Sequence, residues 1–139
     1  MFSTQRLEWN GSELALKRHD RLDFYNKREK TTAEFAKRVA GMAPGTPVLL
    51  GIADTACAAS RPLQGGFYSA LAKLGAPADM PKIEYRAAWA MVGFKGAQPG
   101  VALTAMGTRQ CSLQCHFNMT LYESMRATLV SRSRELVQR

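Results

Sequence analysis

Apolar and polar positions alternate, cluster and recur in a fixed order along the chain. Residues 7–16, LEWNGSELAL, carry apolar positions on both sides of Asn10-Gly11. Both turn residues tolerate positive φ, so the stretch predicts a β-hairpin. LDFY at 22–25 ends that β region. Thr31 or Thr32 then caps a helix, with Glu34 placed early in it. Phe35, Val39 and Met42 recur at helical spacing and should face a core. Gly41 and the Ala-Pro-Gly at 43–45 stop the helix.

Residues 47–53, PVLLGIA, are an apolar run between turn signals, the pattern of a strand buried on both faces. Asp54 follows at its C-terminal end. After a loop holding Cys57, Ser60 and Pro62, residues 66–74 predict a second helix. Phe67, Leu71 and Leu74 share one of its faces, and Gly75 closes it. Residues 83–94 read as a strand region whose apolar set is Ile83, Tyr85, Trp89, Met91 and Val92. A turn at 95–100 precedes further strands at 101–106 and 111–119. A terminal helix near 121–137 carries Met125, Leu129 and Leu136 at near-helical spacing. No repeat, low-complexity stretch or linker divides the chain, so residues 1–139 are expected to form a single domain.

A chain of 139 residues can bury enough surface to fold without a disulfide or metal. No apolar run reaches membrane-spanning length, so no membrane insertion is expected. The first ten residues lack the apolar centre of a secretory signal. The chain is therefore read as intracellular, or as a mature or excised segment, and its location stays open. The net charge of +8 points to a polyanion or to a solvated basic surface, and both readings stand. The basic residues concentrate at 17–38 and near the C-terminus. Neither region interleaves aromatics as a single-strand-binding surface does, so nucleic acid has no supporting motif.

Three cysteines make an odd count, which argues against a complete disulfide framework. Cys111, Cys115 and His116 fall short of a tetrahedral zinc set, and His19 is the only other histidine. No metal and no cofactor are expected. Phosphate-binding glycine loops and a nucleophile elbow are absent, and the two histidines leave little material for a His-centred triad, neither having a recognisable acidic partner in sequence. The expectation is a protein that is not an enzyme. Asn10-Gly11-Ser12 and Asn118-Met119-Thr120 are sequons that matter only in a secretory context.

Four segments then fall into a recognisable order. They are LDFY at 22–25, GTPVLLGIAD at 45–54, LAKLG at 71–75 and IEYRAAWAMVGFKG at 83–96. Over 22–96 this order resembles the interleukin-like EMT-inducer domain, or GG domain. That domain occurs in cytokine-like proteins, in cell-surface hyaluronidases and in the stem of the O-mannose N-acetylglucosaminyltransferase. Two departures stand out. Thr55-Ala56 replaces the acidic-glycine pair after the strand aspartate, and the family's disulfide cysteines lack clear counterparts. The resemblance implies an α+β fold of twisted antiparallel sheets flanked by helices, without catalysis.

It also implies a carbohydrate-binding module, with a glycan as partner and Asp54, Arg86 and Trp89 as ligand-binding residues. A carboxylate can accept from vicinal hydroxyls, a guanidinium donates in a fixed fork, and an indole offers a face to sugar C–H groups. For Asp54 and Arg86 the alternative is mutual pairing across neighbouring strand ends. For Trp89 it is a place in the core. For the whole chain it is an accessory subunit docking through its basic faces onto a larger protein assembly, or a secreted cytokine-like ligand.

Overall fold

The computed structural model describes residues 2–10, 13–52, 56–58, 60–108 and 111. Asp54, Cys115, His116, Asn118, most of the expected strand at 111–119 and the expected helix near 121–137 lie outside the described residues. Strands β1 (Phe2–Asn10), β2 (Glu13–Leu22), β3 (Pro47–Ile52), β4 (Ala88–Phe94) and β5 (Leu103–Gly107) alternate with helices α1 (Arg28–Ala40) and α2 (Gly65–Ala72). The strands form one five-stranded antiparallel sheet in the order β2-β1-β3-β4-β5. The fold is α+β, as expected, with one antiparallel sheet among the described residues.

The hairpin is longer than the turn signal alone indicated. It pairs Phe2 with Leu22 at one end and Asn10 with Glu13 at the other. Asn10 therefore ends a strand, and residues 11–12 lie outside the described residues. Phe2 and Thr4 are buried while Ser3 and Gln5 are half-exposed, the period-two pattern of a one-sided strand. The charged stretch Arg18, Asp20 and Arg21 lies on β2, an edge strand among the described residues, where charge discourages further pairing.

Strand β3 sits at the centre of the sheet. Its register with both neighbours places Val48, Leu50 and Ile52 beside Arg6, Thr4 and Phe2 on one side, and beside Gly93, Met91 and Trp89 on the other. Val48, Leu50 and Ile52 line the face that α1 and α2 cover through Phe35, Val39, Phe67 and Leu71. Leu49 and Gly51 of β3 are only half-buried, so one face of the strand is sealed and the other partly so. This corrects the expectation of burial on both faces. Apolar density alone does not distinguish a doubly covered parallel strand from the central strand of an antiparallel sheet.

Phe2 is the hub of the core. It meets Phe24, Phe35 and Phe67 edge-to-face at ring separations of 5.1, 5.2 and 5.4 Å. Such contacts add about 0.5–1.5 kcal/mol per pair beyond area burial. LDFY is structural in this frame. Leu22 and Phe24 are buried, while Asp23 accepts from the Asn26 backbone N–H at 3.1 Å and its carbonyl accepts from the Thr31 hydroxyl at 3.0 Å. Helix α1 starts at Arg28, before the threonines expected to cap it. The Thr32 hydroxyl instead bonds back to the Arg28 carbonyl at 2.6 Å, inside the first turn.

Two glycines explain the remaining motifs. A Cβ at Gly93 would meet the Leu74 carbonyl oxygen well inside contact distance. That same oxygen accepts from the Phe94 backbone N–H at 3.2 Å. Gly75, at φ +98°, turns the chain after α2 so that its carbonyl accepts from Gly100 and Ala102. Leu74-Gly75 and Gly93 are thus two halves of one close backbone approach. Lys95 Nζ, just beyond, donates to the Val39 carbonyl at 2.6 Å and caps the last turn of α1.

Candidate functional site

Strand β4 begins at Ala88, so the residues before it are not part of the strand that alternation at 83–94 predicted. Ala87 N–H donates to the Glu84 carbonyl at 3.1 Å, closing a β-turn over 84–87. Arg86 sits at φ +62°, and no other described residue besides glycine has positive φ. A positive φ at the third turn position is the type II arrangement, where Gly or Asn is the usual occupant. The turn therefore carries no residue signal that sequence reading could use. It projects Tyr85 and Arg86 outward, with the Arg86 guanidinium carbon 5.0 Å from the Tyr85 ring centroid.

The segment leading into this turn is fixed from both sides. Ile83 N–H donates to the Tyr68 hydroxyl of α2 at 3.0 Å, and the Cys57 thiol donates to the Ile83 carbonyl at 3.5 Å. Burial pushes the Tyr68 hydroxyl and the Cys57 thiol to pKa values above their ordinary ones, so both stay neutral near pH 7, the hydroxyl accepting and the thiol donating. Lys82 Nζ lies 4.6 Å from the centre of the Tyr68 ring. The facing loop is held as firmly: Arg28 Nη1 of α1 donates to the Pro62 carbonyl at 3.0 Å, and Ala58 bridges Arg61.

Between the two segments opens a cleft of about 320 Å³, lined by Cys57, Ala58, Pro62, Lys82, Ile83, Glu84 and Tyr85. That volume lies at the small end of ligand pockets, about 300–1,000 Å³. Its groups are an exposed aromatic face and hydroxyl, a carboxylate, an ammonium and, beside the tyrosine, a guanidinium. Such a set can accept from and donate to hydroxyls while stacking on C–H groups. Among the described residues, no three His, Cys, Asp or Glu side chains gather as a metal site would require.

The three residues singled out from sequence fare differently. Arg86 is exposed on the turn, against the ring of Tyr85, which lines the cleft. Trp89 is 1 % exposed and stacks on Phe2 at 6.3 Å, so it takes the core role that the sequence left open. Asp54 lies outside the described residues, as does any pairing of it with Arg86. Tyr85, Lys82 and Glu84 were not singled out. Only the approach of the 57–62 loop makes them a site, and no sequence spacing encodes that approach.

The model of the interleukin-like EMT inducer family matches residues 9–97, well over half of the chain. The match takes in α1, β3, α2, the turn at 84–87 and β4. None of the curated proteins matches the chain.

Proposed function

Because the chain belongs to the interleukin-like EMT inducer family, a family of cytokine-like and stem domains, we propose that it is a non-catalytic recognition module that binds carbohydrate at the Tyr85 cleft. The observation that carries this reading is the pairing of Tyr85, 42 % exposed, with a neighbouring arginine at the mouth of a ligand-sized cleft. Tyr85 takes the stacking role first assigned to Trp89. Glu84 supplies a carboxylate acceptor on the cleft wall, and Arg86 and Lys82 supply donors. Among the described residues no nucleophile faces an activating base there: the cysteine is held protonated by burial, and its thiol donates to a backbone carbonyl.

A glycan array tests the proposal. Wild-type protein should bind a defined subset of glycans, and Tyr85→Ala and Arg86→Ala should each lose that binding while retaining the fold. Absence of binding above background, or variants indistinguishable from wild type, would sink it.

A further inference from the structure

Resting on the carbohydrate reading of this cleft, we propose that its ligand is an acidic sugar, a saccharide whose ring carries a carboxylate. Three observations converge on it. The first is backbone strain. An arginine at φ +62° occupies a position that glycine would fill at no steric cost. Left-handed non-glycine residues persist where a side chain is needed at that point, and they cluster at ligand sites.

The second is how the cations are held. Lys82 rests over Tyr68 and Arg86 over Tyr85, each against a ring face. Among the described residues neither forms an ion pair with a carboxylate. A ring face positions a cation without neutralising it, so both remain available to an anion. The guanidinium fork matches a carboxylate bidentately.

The third is Glu84, which lines the same cleft. It repels a ligand that is anionic all round, such as a polyphosphate. It suits one whose anionic group is confined to one edge and whose other edge presents hydroxyl donors. A ring bearing both a carboxylate and hydroxyls meets that condition, with its C–H face left for Tyr85. The net charge of +8 raises the encounter rate of such a ligand.

The test is a titration of the isotope-labelled full chain with sodium glucuronate and, at equal ionic strength, with glucose, following the backbone amides of residues 82–87 by NMR. Glucuronate should shift these signals saturably, with glucose weaker by about tenfold or more, the factor a charge-assisted hydrogen bond supplies. Arg86→Gly should abolish that preference and at the same time raise the thermal midpoint, a combination that a merely structural arginine would not give. Equal binding of glucose and glucuronate would overturn the acidic-sugar inference and leave the carbohydrate reading standing. Silence of residues 82–87 toward both sugars would overturn both. Preference retained in Arg86→Gly, or tighter binding of an oligoglutamate peptide in the same cleft, would also overturn the inference.

Discussion

Tyr85 and Trp89 belong to the same aromatic-rich stretch and have opposite fates. Trp89 faces the helices and is enclosed by Phe2 and Phe67, whereas Tyr85 stands on a turn outside the sheet. Trp89→Ala should therefore cost about 3–5 kcal/mol in a urea denaturation series, the range for emptying a large aromatic from a core. Tyr85→Ala should stay within about 0.5 kcal/mol of wild type, as exposed substitutions do. Trp89→Phe should be far milder than Trp89→Ala, because the indole N–H is buried without an acceptor among the described residues and nothing polar is lost with it. Arg86→Gly should gain about 1–2 kcal/mol by removing a left-handed non-glycine residue. Equal costs for the tryptophan and tyrosine truncations would contradict this division of labour.

At the scale of elements, the joints between helices and sheet depend on a few polar contacts and one close approach. Gly93→Ala should destabilise by about 1–3 kcal/mol, since a methyl there collides with the Leu74 carbonyl rather than with a side chain that could move. Arg38 of α1 lies 2.8 Å from Asp20 of β2 and 2.6 Å from Glu34 one helical turn away. Burial works against ionisation of Asp20, but its ion pairs with Arg38 and Arg18 prevail and hold its carboxyl below the ordinary value. A depressed carboxylate stabilises the fold above its unfolded pKa, and that stabilisation is lost as pH falls through the folded pKa. Stability measured across the acid range should fall in this way in wild type and less steeply in Asp20→Asn.

Much of this was legible in the sequence. Apolar periodicity placed both helices and β3, and Gly75 marked the end of α2, whereas the close approach of Gly93 to the Leu74 carbonyl was not legible. The start of β4 was not legible, because the turn at 84–87 uses an arginine where turn chemistry expects glycine or asparagine. The start of α1 was missed for a related reason: Thr31 and Thr32 resemble caps, yet their hydroxyls are engaged within and before the first turn. Arg86 was singled out from its motif. Lys82 and Glu84, which line the cleft beside Tyr85, were not, since a loop distant in sequence completes that cleft.

For the molecule as a whole, the antiparallel sheet backs the segments entering β4, where the proposed binding site lies. Tyr68 and Cys57 pin those segments to α2 and to the facing loop. Tyr68→Phe should leave the Ile83 N–H without its partner, cost about 1–3 kcal/mol and loosen the cleft together with the fold. The chain's net charge of +8 would make capture of the proposed anionic glycan sensitive to salt, so its affinity should fall as ionic strength rises. The most direct measurement of the central claim is glycan-array binding by wild type, Tyr85→Ala and Trp89→Phe, each first shown to be folded. The account predicts that wild type and Trp89→Phe bind the same glycans and that Tyr85→Ala binds none. Binding that survives in Tyr85→Ala and disappears in folded Trp89→Phe would place the site elsewhere and contradict it.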